Sequence, residues 1–275
     1  MLKETYSLNN GVRIPKIALG TWQIANDIVT GVVKDAVDAG YRHIDTAVQY
    51  DNEEGVGRGI RECGVNREDM FVTTKIPHDV KTYEGTKKTI DESLQRLGMD
   101  YIDLLLIHAP KPWTEVFAHS PKTYNEENVA VWKAMSEAYR QGKVRAIGVS
   151  NFEISDLKNL IDHAEIRPMV NQIRVHIGHT PQEIIQYCKD NNILVEAFSP
   201  NATGKLMDKP EIIRMAEKYH VSVPQLSIRY DLQLGLLPLP KSTHKAHMIE
   251  NADLDFEISE EDMQFLMKVP EISSL

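Results

Sequence analysis

Basic residues are in deficit in this 275-residue sequence, with 31 Lys and Arg against 40 Asp and Glu and a formal net charge of −9. No basic stripe overrides that balance, so a nucleic-acid partner is not expected. A few local cations would still suffice for a phosphate-bearing small molecule. Cysteine is scarcer: only Cys63 and Cys188 occur, far apart and outside any CxxC spacing. That excludes a disulfide framework and points to reduced thiols packed on helices. No apolar run is long enough to cross a bilayer, so no membrane partner is expected. The opening MLKETYSLNNG is too polar for a secretory leader, and the expected location is cytoplasmic. Ser/Gly/Pro-rich linkers and low-complexity tracts are also missing, so residues 1–275 read as a single domain. Nothing in the pattern demands more than a monomer.

What is present is alternation. TYSL-NNG-VRIP reads as a short N-terminal hairpin, with Asn10-Gly11 supplying positive-φ turn residues. Eight apolar runs suited to buried strands follow: KIALG, RHIDTA, MFVTTKI, IDLLLIH, RAIGVSN, MVNQIR, ILVEAFS and GLLPLPK. Between them lie stretches with apolar residues at three- and four-residue spacing. These are IVTGVVKDAVDAG, YEGTKKTIDESLQRLG, NEENVAVWKAMSEAYRQG, EISDLKNLIDHA, TPQEIIQYCKDNN and KPEIIRMAEKYH, each read as a helix capped by Gly or Asn. Repeated βα units in a chain of this length predict an α/β fold, a closed (β/α)₈ TIM barrel, with the hairpin closing its bottom. APKPWTEVFAHSPKTYNEEN, after His108, is the longest irregular stretch and is expected at the rim where substrate enters. SEEDMQFLMKVPEISSL reads as a short capped helix and then a tail.

Four polar side chains punctuate three successive apolar runs: Asp45 and Tyr50 in GYRHIDTAVQYDNEEGVG, Lys75 in FVTTKIP and His108 in DLLLIHAP. In a parallel barrel they emerge together at the C-terminal rim, where such folds keep their chemistry. A phenol is a poor acid near neutrality, with a free pKa of about 10, and a neighbouring ammonium is expected to lower it. Asp45 would hold that ammonium in place, and His108 could orient a carbonyl oxygen. Singly each has a plainer reading, as a loop cap, a solvated strand end, a half-buried aromatic or a backbone-bonded histidine. Together on neighbouring strand ends they form a proton-donating site.

The sequence resembles the aldo-keto reductases from about Ser7 to near its end. The likeness rests on GYRHIDTAVQYDNE, Lys75, SLQRLGMDYIDLLLIH, IGVSNF at 147–152, Asn171-Gln172 and LPKSTHKAHMIEN. It implies reduction of small-molecule aldehydes and ketones by NADPH, with Tyr50 as general acid, Lys75 and Asp45 tuning it, and His108 orienting substrate. Ser150, Asn151 and Gln172 would hold the nicotinamide carboxamide. Phe198 would stack on the nicotinamide ring, with Ser199 beside it, and Asp45 would also meet the ribose. Lys241 and Ser242 match positions that meet the adenosine 2′-phosphate, with Asn251 closing that element. The family commonly has arginine five residues after that serine; this chain has His247, mostly neutral at pH 7 and lacking the guanidinium fork. NADPH is therefore expected, with NADH also possible. Ala109 stands where many relatives carry tryptophan, and Trp113 is expected to supply the missing surface. Trp22 is a second candidate pocket wall, with core packing as its alternative. Asn201 and the short SPNATGKLMDK loop suggest a rather open site. By pattern the chain is nearest to bacterial diketogluconate-reductase-like members.

Other signals fail on their own terms. GVGRGI at 55–60 lacks the third glycine of a dinucleotide fingerprint, and GVSNF lacks the final glycine of a nucleophile elbow. His176/His179 and His244/His247 form HxxH pairs without companion metal ligands and read as surface or loop histidines. Two other function classes stay open: a nucleotide-sensing regulatory subunit with negligible turnover, and a barrel hydrolase using Asp45 and Glu196 as paired carboxylates.

Overall fold

A computed structural model describes residues 1–118 and 120–273. His119 of the expected rim loop, and Ser274 and Leu275 of the expected tail, lie outside the described residues. Among the described residues, β1 (Thr5–Ser7) and β2 (Arg13–Pro15) form the hairpin. Eight parallel strands follow: β3 (Leu19–Gly20), β4 (His43–Asp45), β5 (Phe71–Ile76), β6 (Ile102–Ile107), β7 (Val144–Ser150), β8 (Val170–Arg174), β9 (Leu194–Phe198) and β10 (Leu237–Leu239). They lie side by side in chain order. The sheet closes on itself where Ala18 N–H donates to Pro238 O at 3.3 Å and Gly20 N–H to Pro240 O at 2.9 Å. The expected (β/α)₈ barrel is therefore the observed fold.

The apolar runs made strands because a barrel strand is covered on both faces, inside by its neighbours and outside by helices. All six residues of β5 and of β6 are buried. The outer layer comprises α1 (Asn26–Asp38), α2 (Glu53–Glu62), α3 (Tyr83–Leu97), α4 (Trp113–Phe117), α5 (Asn125–Arg140), α6 (Ile154–His163), α7 (Gln182–Asp190), α8 (Pro210–Lys218), α9 (Val223–Gln233), α10 (Lys245–Ala252) and α11 (Glu260–Met267). None of the described helices is long and apolar enough to cross a membrane.

The structure departs from the sequence reading in several places. The stretch after His108 is not wholly irregular, since α4 interrupts it. The helix α9 carries buried Gln225, Ser227 and Asp231, which hide its periodicity. Helices α6 and α8 end at Ala164 and Tyr219 rather than at Gly or Asn. In the hairpin only Gly11 has positive φ, at 84°, and Asn10 does not. The glycines of GVGRGI lie in α2 and serve packing. A Cβ on Gly57 would fall 2.0 Å from Leu97 O at the end of α3, and one on Gly55 would fall 2.4 Å from Asn26 O.

The hairpin sits across the N-terminal ends of the strands. Tyr6 donates to Leu236 O and Asn9 to Pro168 O and Asn192 O, all just before barrel strands, and Asn10 donates to Arg145 O at the start of β7. Leu8 and Ile14 are buried beneath it. With the bottom plugged, the opposite rim is the open end.

Candidate active site

At that rim, Lys75 is the last residue but one of β5 and is fully buried. Its Nζ lies 2.6 Å from Asp45 Oδ1, 2.9 Å from Thr46 O and 3.3 Å from Tyr50 Oη. Parallel pairing of β4 with β5 brings Asp45 alongside, and a short 3₁₀ turn at Val48–Tyr50 returns Tyr50 over the lysine. The buried Asn52 holds that turn. Its Oδ1 accepts from Thr46 Oγ1, and its Nδ2 donates to Thr21 O and Ile24 O. Glu53 beside it is tied to Thr74 and Arg96.

Burial alone would lower the Lys75 pKa, but Asp45 and Tyr50 more than offset this and hold it above the ordinary lysine value. Tyr50 departs from the sequence expectation. Burial raises the phenol, Lys75 opposes, Asp45 adds to the rise, and the net direction is up. The phenol is thus kept protonated, beside a cation able to stabilise the anion it would become. His108, just past β6, stands edge-on to Tyr50 with ring centroids 5.6 Å apart. Burial, Lys75 and His78 push its pKa well below the usual imidazole value, so it is a neutral donor–acceptor.

The next strands continue the arc. Asn151 Nδ2 donates to His108 O and Ser150 Oγ, and Ser150 Oγ donates to Gln172 O. Gln172 Nε2 lies 2.8 Å from Asp45 Oδ2 and 2.7 Å from Glu196 Oε2. Asp45 and Glu196 are therefore bridged by an amide and almost wholly buried, which leaves neither open to the water a glycosidase pair needs. Phe198 ends β9 half-buried, followed by Ser199 with φ 55°. Lys241 is exposed after β10. Ser242 is buried, receives His244 N–H on its Oγ, and leads into α10. His247 is exposed with its ring against His244, and Asn251 is buried on the same helix.

Trp113 at the start of α4 stands 5.6 Å from both His108 and His78, edge-on, and stacks with Phe117. Ala109 is fully buried, so Trp113 supplies the ring surface over His108. Trp22 is 46% exposed on the loop after β3, which removes its core-packing alternative. His78 was not legible as a site residue, having no motif around it. Of the histidines read as surface or loop residues, His176 lies in the loop after β8 but is buried and bonds Ile177 O, while His179 pairs with Glu271.

The rim residues fit a nicotinamide nucleotide. Asn151 commits its amide nitrogen within the protein and leaves its oxygen, the buried Asn201 Oδ1 has no partner among the described residues, and Phe198 and Lys241 offer an aromatic face and a cation. The aldo/keto reductase family model matches residues 16–270. The chain belongs to the aldo/keto reductase family. It is 45% identical over 264 residues to a glyoxal reductase of Bacillus subtilis, covering 95% of this chain and 91% of that one. It is 41% identical to a 9,11-endoperoxide prostaglandin H2 reductase of Trypanosoma cruzi, covering 94% and 88%. Among solved structures, a Bombyx mori aldo-keto reductase in complex with NADP superposes with TM-score 0.89 at 36% identity, covering 100% of this chain and 95% of that one. This aldo-keto reductase is an NAD(P)H-dependent oxidoreductase. Neither named reductase carries the diketogluconate label that the sequence pattern suggested.

Proposed function

We propose that this aldo-keto reductase, acting as a single barrel domain, reduces small aldehydes and α-dicarbonyl compounds to alcohols with NADPH as preferred cofactor. The observation that carries the reading is the Lys75 ammonium, held 2.6 Å from Asp45 Oδ1 and 3.3 Å from Tyr50 Oη at the open rim. A bound reduced nicotinamide supplies hydride to the carbonyl carbon. Tyr50 gives its phenolic proton to the carbonyl oxygen as negative charge develops there, and Lys75 stabilises the phenolate left behind. Neutral His108 donates a hydrogen bond that aims the oxygen at Tyr50. Trp113 and His78 shield one side of the pocket from water. Small dicarbonyls are favoured because the glyoxal reductase is 45% identical across nearly the whole chain. Lys241 supports the 2′-phosphate, and His247 in place of a guanidinium leaves room for NADH. The regulatory-subunit reading has no observation in its favour.

The test is Tyr50→Phe, assayed with glyoxal, methylglyoxal and an aromatic aldehyde. Turnover is expected to fall by about 10²–10⁴-fold while nucleotide binding, followed by protein fluorescence, persists. Retained turnover in the variant would remove Tyr50 from its role, and equal Michaelis constants for NADPH and NADH would remove the cofactor preference.

A further inference from the structure

In the interior just below the rim, β8 and β9 run in register with Gln172 opposite Glu196, so both side chains enter the barrel together. The Gln172 amide nitrogen has two hydrogens, and two carboxyl oxygens lie within reach of it: Asp45 Oδ2 at 2.8 Å and Glu196 Oε2 at 2.7 Å. The opposite amide orientation would set its oxygen against the Asp45 carboxylate, which has no hydrogen to offer while it pairs with Lys75. The amide is therefore held with nitrogen inward, and no donor among the described residues reaches its oxygen. Glu196 is 0% exposed and, among the described residues, is hydrogen-bonded into the site through Gln172 alone, so it touches no substrate.

We propose that Glu196 is a positioning residue: by accepting one hydrogen of the Gln172 amide, it fixes that amide oxygen as the acceptor for the nicotinamide carboxamide N–H. This rests on the nicotinamide reading above. Burial first, and the neighbouring Asp45 charge second, push Glu196 up to about 8, so near neutrality it serves mainly as a neutral acid. A neutral acid still accepts through its carbonyl oxygen and adds no second anion beside Asp45, whose charge stays directed at Lys75. The other Glu196 oxygen is buried without a partner among the described residues. An apolar side chain of similar size is therefore expected to be tolerated there.

The experiment compares NADPH with its reduced 3-acetylpyridine analogue, in which a methyl group replaces the carboxamide NH₂. Wild-type protein is expected to bind NADPH about tenfold more tightly, the worth of one hydrogen bond. In Glu196→Leu that preference should shrink to about twofold or less, through weaker NADPH binding with little change for the analogue. Glu196→Gln keeps a carbonyl acceptor and should restore the preference. Should Glu196→Leu not fold, Glu196→Met removes the same acceptor. Wild-type discrimination surviving in the apolar variant, or a parallel loss for both nucleotides, overturns the proposal and leaves the cofactor reading standing. A wild-type protein that binds neither nucleotide overturns both.

Discussion

At the scale of single residues, opposing electrostatic influences decide what each buried charge contributes. Lys75 lowers the Tyr50 phenol while burial and Asp45 raise it. Replacing Lys75 with Met removes the one favourable partner, so the phenol rises further and its anion loses the ammonium. On the proposed mechanism reduction needs the protonated phenol, so its rate should be lost as pH rises through the phenol's value. In Lys75→Met the turnover should fall by about 10²–10⁴-fold, with the remaining alkaline limb displaced to higher pH. A pH–rate profile checks this; an unmoved limb would detach Lys75 from Tyr50. The same substitution breaks a buried pair and should cost about 3–5 kcal/mol of stability. Asp231 presents the reverse case, a carboxyl of α9 with both oxygens buried and without a partner among the described residues. Burial raises its pKa well above the usual carboxylate range. Once pH passes the unfolded value of about 3.9, the unfolded chain releases a proton the folded chain retains, so stability falls as pH rises. Asp231→Asn should therefore melt above the wild type at pH 8 and close to it at pH 4, and calorimetry at the two values tests the sign.

At the scale of elements, Asn52 joins the β3–α1 and β4–α2 loops through three buried hydrogen bonds. Asn52→Ala strands the buried Ile24 carbonyl and the Thr46 hydroxyl, while Thr21 O keeps the Ile24 N–H, with an expected loss on the order of 3 kcal/mol. Because the Tyr50 turn rests on this link, kcat should fall as well; urea unfolding with kinetics on the folded protein reads both. The barrel strands were legible as elements because covering both faces turns them into continuous apolar runs, as in Leu104–Ile107. The four catalytic candidates were legible because each is the polar residue that ends or follows such a run. What escaped lacked local pattern. The glycines of α2 answer to Leu97 and Asn26, which belong to other helices. The buried face of α9 includes Gln225, Ser227 and Asp231, so the three- and four-residue spacing of apolar residues is broken. Glu196 meets its amide partner, Gln172, through barrel register, which no window of sequence displays.

At the scale of the whole molecule, stability and chemistry occupy opposite ends of one barrel. The hairpin seals the end where strands begin, burying Leu8 and Ile14, while Lys75, His108, Ser150 and Phe198 stand at or beside the other ends of their strands. The two ends are connected through a core in which Ile44, Leu104, Leu106, Ala146 and Val170 are all fully buried. A close-packed core transmits a loss of volume as a loss of global stability before it moves a rim residue. Ile14→Ala removes a fully buried side chain at the sealed end and should destabilise the fold by about 2–5 kcal/mol. Below the new melting temperature the surviving native protein should retain wild-type kcat and KM, because no rim residue loses a partner. Thermal melts paired with steady-state kinetics at low temperature test the separation. A kcat that falls in proportion to the lost stability would mean that the hairpin, and not the strand-end constellation alone, sets the geometry around Tyr50.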